Sequence, residues 1–213
     1  MLEYSRKAGR AARHETLGQP VSTRSLAFSS TALTKDVMNP DLFLLFDATA
    51  VAIAAAVMDV QQHRIPNWIT YPAMVGGVLL RSYYFGWRGA LTAVGGCLLA
   101  GTLVFVFYAL RALGAGDLKL LAALGSLVGP QHVIYIVLGT GVAGGVLALI
   151  YATYRRRLRA TLANVGTIVK FHAVSGLHAH PELNLDNPDA LRMPYGLAIA
   201  AGTLYAFINA WGR

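Results

Sequence analysis

From residue 42 onward the chain is built of long apolar runs separated by short polar breaks. Six runs are each close to the ~20 helical residues that cross a hydrocarbon core. They span 42–60, 68–84, 90–110, 117–128, 132–154 and 194–211. The pattern predicts an all-α polytopic membrane protein with six transmembrane helices, the fourth of them short. Connections are brief except for a basic stretch at 155–192. Residues 1–40 break the pattern, so 41–213 reads as one membrane domain.

Composition narrows the class. Hydrophobic residues make up 55% of the chain and charged residues only 13%, which excludes an ordinary soluble domain. The formal charge of +8 then acts on topology rather than on nucleic acid. The single cysteine, Cys97, lies in an apolar run and reads as a small buried residue. It permits neither a disulfide framework nor a Cys-x-x-Cys metal site, and no metal or cofactor is expected. Residues 1–40 carry Arg6, Lys7, Arg10, Arg13, Arg24 and Lys35 with many Ser and Thr. They read as a disordered basic tail or a start-site extension. An Arg-rich, acid-poor transit peptide is the alternative.

The basic residues are unevenly shared between the connections. Those after the first, third and fifth runs hold Arg64, Arg111, Arg155, Arg156, Arg157, Arg159, Lys170 and Arg192. The other side holds Arg81, Arg88 and Arg213. The positive-inside bias places the richer set in the cytoplasm, although the basic tail argues the other way. Within 155–192, Leu158, Leu162, Val165 and Val169 recur on one helical face beside four arginines. This suggests a helix lying on an anionic membrane surface, against the plainer reading of a solvated charge run. His178 and His180 have the spacing of a possible metal pair, but a polar loop explains them with His172. Gly141-x-x-x-Gly145 permits close helix approach, yet reads as ordinary membrane-helix glycine.

Two carboxylates carry the candidate chemistry. Asp59 closes the first run and Asp117 opens the fourth, so the orientation above puts both at one depth on the cytoplasmic side. An ionisable group at a bilayer edge is costly and signals function by default. Two neighbouring carboxylates can share a proton, one activating water while the other serves the substrate carbonyl. Gly114 and Gly116 beside Asp117 allow close backbone approach. Pro66 disfavours helix at Ile65, and Asn67 suits the N-cap of the second helix. Taken singly, Asp117 could be only a helix-start residue and Asp59 only an interfacial one. Asp47 sits toward the outer end of its helix, Lys119 snorkels to the interface, and His63 is exposed or a modulator of Asp59.

At these residues the chain resembles the type IV prepilin peptidase family of membrane aspartic proteases, especially its short single-domain Flp/Tad-type members. The resemblance rests on Asp59 with Arg64-Ile65-Pro66-Asn67, on Gly114-Ala115-Gly116-Asp117-Leu118-Lys119-Leu120, and on Met193-Pro194-Tyr195-Gly196. It implies the Gly-x-Gly-Asp protease architecture, with Asp59 and Asp117 catalytic. It also implies cleavage of prepilin leaders at the cytoplasmic face of a bacterial inner membrane, just before the pilin's hydrophobic helix. Larger members carry a cysteine-tetrad segment and methylate the product, whereas this chain has one cysteine. Presenilin-like and signal-peptide-peptidase-like proteases share Gly-x-Gly-Asp but pair it with Tyr-Asp and Pro-Ala-Leu elements. Here Met58 precedes Asp59 and no Pro-Ala-Leu occurs. A transporter using the aspartates as a proton or cation relay is a different class of reading. It favours midplane carboxylates and internal repeats, and neither is found.

Overall fold

In a computed structural model, residues 39–176 and 193–212 are described. The expectations for the N-terminal tail before residue 39, and for His178 and His180, lie outside the described residues. From Pro40 onward the chain forms one unit. Its described residues are all-helical, in five helices. These are α1 (Pro40–Gln62), α2 (Asn67–Ala109), α3 (Ala115–Tyr154), α4 (Leu158–Ser175) and α5 (Gly196–Trp211). The first three are long and apolar enough to cross a membrane, and α5 is a shorter apolar helix. Phe46, Val75, Leu79, Leu98, Val142 and Ile150 stay exposed on the bundle's outside. Lipid asks nothing else of such side chains, provided each backbone group is satisfied within the protein.

α2 and α3 are each interrupted at one glycine. Gly86 has φ 64° and ψ −151°, and Gly129 has φ 74° and ψ 175°. These are dihedrals that residues with a Cβ rarely adopt. Packing shows that the chain reverses at both. Gly77 meets Ser126 and Leu127, while Gly96 meets Gly125 and Gly129. In a straight helix residues 77 and 96 would stand about 28 Å apart, so they could not share one neighbour segment. Likewise Asp117 interacts electrostatically with Tyr195, whose ring lies against Gly144. A straight α3 would hold residues 117 and 144 about 40 Å apart. Pro130 directly follows the second break, where its missing N–H costs nothing at a helix start.

Small residues let these limbs approach closely. Leu44, Leu45, Ala48, Ala52 and Ala55 of α1 share the buried core with Leu120, Leu121, Leu124 and Ile136 of α3 and Ile199 of α5. A Cβ at Gly96 would strike the Gly125 carbonyl, and one at Gly202 would strike Thr140. Gly141 and Gly145 face open space. The close approaches on that limb are made by Gly139, against Gly202, and by Gly144.

Arg81 ties the two reversals together. It is only 8% exposed. Its guanidinium donates to Thr92 Oγ1 at 3.1 Å and to the Leu127 carbonyl at 3.2 Å, and it pairs with Asp41 at 3.3 Å. A Cβ at Gly129 would stand 3.0 Å from this guanidinium. Breaking a helix frees backbone carbonyls, and the buried arginine is the donor that answers Leu127 here. With Asp41 beside Arg81, the start of α1 and both reversals lie at one end of the bundle. The ends of α1 and α2 and the starts of α3 and α5 gather at the other.

Candidate active site

α1 approaches its end with Asp59, which is buried at 8% exposure. The helix stops three residues later because His63 turns left-handed, at φ 51°. The His63 N–H bonds the Asp59 carbonyl at 2.8 Å, and its ring Nδ1 lies 3.2 Å from that oxygen. His63 therefore caps the backbone of Asp59, and no bond joins it to the carboxylate. The carboxylate Oδ2 instead accepts the N–H of Gly196 at 2.8 Å, across the seam between α1 and α5. Gly196 opens α5, with Tyr195 as its N-cap. The absence of a Cβ is what permits the contact: one built there would stand 3.0 Å from Asp59 Cβ and 3.1 Å from Ala56 Cα.

Asp117 lies in the first turn of α3, whose N-cap is Gly114. Its Oδ2 accepts the Gly114 N–H at 3.2 Å, the reach-back half of a capping box. Gly114 has no side chain to return the bond. Asp59 acts electrostatically on the Asp117 side chain, and Asp117 in turn acts on Tyr195. Two carboxylates remote in sequence thus face the same small region.

The remaining motif residues frame it. Gly116 packs under Ile65, where a Cβ would stand 3.2 Å from the isoleucine Cβ. Pro66, extended at φ −73° and ψ 143°, is the N-cap of α2. This corrects the expectation for Asn67, which is the first helical residue. Its Oδ1 accepts a bond from Lys119 Nζ at 3.1 Å rather than capping. The reason is local: Pro66 already supplies the extended residue that a helix start needs, and its ring holds φ there. Lys119 also sits over the Tyr71 ring at 5.2 Å. Pro194 accepts the Leu197 N–H at 3.4 Å, steadying the turn before α5. Asp47 lies in the second turn of α1, far along that helix from Asp59. Among the described residues no cluster of His, Cys, Asp or Glu could hold a metal ion.

Gly144, where an added Cβ would stand 3.0 Å from the Tyr195 ring, was not legible as a site neighbour. It stands in a run with Gly139, Gly141 and Gly145, and nothing in the sequence separates them. Tyr71 was equally hidden. The only signal was its position four residues after Asn67, one turn along the same helix face.

Known proteins meet the chain at this region. Residues 47–149, which include Asp59 and Asp117, match the type IV leader peptidase family. Two curated relatives, from Burkholderia pseudomallei strains 1026b and K96243, are each a "Prepilin leader peptidase/N-methyltransferase". Each is 33% identical over 120 residues, covering 54% of this chain and 38% of the relative. The chain thus spans little more than a third of the length of the curated relatives it matches. No solved structure matches it significantly.

Proposed function

We propose that the chain is a prepilin leader peptidase of the short Flp/Tad type, an aspartic endopeptidase of the Gly-x-Gly-Asp kind. It resides in the bacterial inner membrane with six spans: α1, the two limbs of α2, the two limbs of α3, and α5. The reversals at Gly86 and Gly129 support that count. Asp59 and Asp117 are its catalytic pair, at the cytoplasmic end of the bundle. The observation that carries this reading is that Asp59 acts electrostatically on Asp117, the two being supplied by separate helices within the family-matched stretch.

In the reaction, one carboxylate takes a proton from water while the other holds one toward the carbonyl of the scissile peptide. Water adds to that carbonyl carbon, and the collapsing intermediate passes a proton to the leaving amine. The Gly196 N–H fixes the orientation of Asp59, and the Gly114 N–H that of Asp117. Gly116 and Ile65 hold the start of α3 against the loop that follows Asp59. No cofactor is required. The site's place at the bundle end, beside exposed His63 and Arg64, suits a peptide arriving from water better than a relay through the membrane.

The second activity named for the curated relatives is not part of this proposal, because one cysteine in the chain cannot form a tetrad. Purified protein in detergent, mixed with a Flp-type prepilin, tests the reading. The leader is expected to be released at a single bond, leaving an unmethylated N-terminus by mass spectrometry. An intact prepilin under conditions where the protease remains folded overturns the peptidase assignment.

A further inference from the structure

α4 is not used by the reaction above, and among the described elements it packs only against α3. Four of its aliphatic residues nevertheless share one face, while Ile168, Phe171 and Val174 lie off it. Leu158, Leu162, Val165 and Val169 fall within an arc of about 60° at 100° per residue. The last three are 54%, 52% and 63% exposed. Arg159 and Lys170 fall on one flank of that stripe, about 100° and 120° from Leu158. Thr167 lies on the opposite face. From Arg155 to Gly176 the chain carries five lysines and arginines and no acid.

The place where α4 begins is set by α3. Val142, Val146, Leu149 and Ile150 are exposed along that helix and form a lipid-facing stripe. The stripe ends at Tyr154, followed at once by Arg155, Arg156 and Arg157, all exposed. An aromatic residue followed by cations is the signature of the membrane–water boundary. Arg156 adopts φ 55°, which ends α3, and α4 starts two residues later. A helix that starts at that boundary, exposes an aliphatic stripe and carries only positive charge complements an anionic bilayer surface.

We propose that α4 lies in the interface of an anionic membrane, with Leu162, Val165 and Val169 in the acyl boundary and Arg155–Arg159 and Lys170 on lipid phosphates. The occupant of its apolar face is lipid, not another protein. The test uses the full chain, reconstituted into vesicles of pure phosphatidylcholine or of phosphatidylcholine with phosphatidylglycerol. In a Cys97→Ser background, Val165→Cys or Thr167→Cys carries an environment-sensitive fluorophore. In anionic vesicles the label at 165 should shift to the blue and be quenched by nitroxide-bearing lipid, while the label at 167 stays water-like. Val169→Cys should repeat the result for 165. Replacing Arg156, Arg157 and Arg159 by Gln should lower the docked-to-undocked ratio on the order of 100-fold, at roughly a factor of five per cation. Equal, water-like signals at 165 and 167 overturn the proposal. So does a protected 165 label that lipid nitroxide does not reach, because protein would then cover the face. So, too, does a docked signal indifferent to lipid charge, salt and the arginines.

Discussion

Gly196→Ala perturbs the candidate site by one methyl group. The added Cβ would stand 3.0 Å from Asp59 Cβ, 3.1 Å from Ala56 Cα and 3.1 Å from Asp59 Oδ2. Carbon atoms in ordinary contact sit about 3.5–4.0 Å apart, so α5 must withdraw from α1 by roughly half an ångström. Ala56 contributes its backbone to the clash, so shortening it with Ala56→Gly offers no relief. The withdrawal stretches the 2.8 Å bond from Gly196 to Asp59. Overpacking of this kind costs about 1–3 kcal/mol of stability. A misplacement of about 1 Å can cost ~100-fold in rate, so half of that corresponds to about 10-fold. The variant should therefore cleave prepilin about 10-fold more slowly at saturating substrate, with KM less affected. Single-turnover cleavage in detergent reads the rate, and thermal unfolding reads the stability. Gly141→Ala and Gly145→Ala, whose positions face open space, are the controls. They should keep full activity and gain up to about 1 kcal/mol from helix propensity. A Gly196→Ala protein with wild-type rate and stability would refute the claim that this contact positions Asp59.

Three further outcomes follow from the same geometry. Reporter fusions at Gln62 and after Ser175 should report the cytoplasm, and one at the C-terminus the periplasm; the reverse pattern would put both aspartates on the outer face. Arg81→Met should leave the Leu127 carbonyl short of a donor, at roughly 1–3 kcal/mol, with less from Thr92, whose hydroxyl still donates to the Gly89 carbonyl, and from half-exposed Asp41. Thermal unfolding in detergent should show that loss while the surviving protein cleaves at the normal rate, and a slowed rate at unchanged stability would contradict it. Lys119→Ala removes the tie to Asn67 across the α2 and α3 starts, so activity should fall several-fold without vanishing, as read by the same cleavage assay.

Much of the architecture was written in apolar run length, because a span needs a fixed number of residues whatever it packs against. The reversals at Gly86 and Gly129 fall in the breaks between predicted runs, although each takes a single residue rather than a loop. What single-residue patterns miss is partnership. Arg81 was visible as a charge near the end of an apolar run, but its role needs Asp41, Thr92 and the Leu127 carbonyl, which only the fold assembles. Asn67 was misread because its type favours caps, while Pro66 beside it already met that need. The helical face of α4 was legible from four aliphatic positions, since periodicity survives without knowledge of neighbours. The approach of Gly139 and Gly144, rather than Gly141 and Gly145, was not legible, because four glycines in one run look alike until α5 and Tyr195 are placed.

In the proposed mechanism Asp59 and Asp117 work as one unit. The most direct measurement is prepilin cleavage by Asp59→Asn, Asp117→Asn and the double variant, each at matched membrane levels. Asn keeps the side-chain shape but cannot exchange a proton, so each single variant should lose all measurable cleavage. The double variant should be no worse, since either change already removes the unit. Asp47→Asn, remote from the pair on the same helix as Asp59, should retain most activity. Full cleavage by either single variant would contradict the dyad and leave the family match without its proposed chemistry.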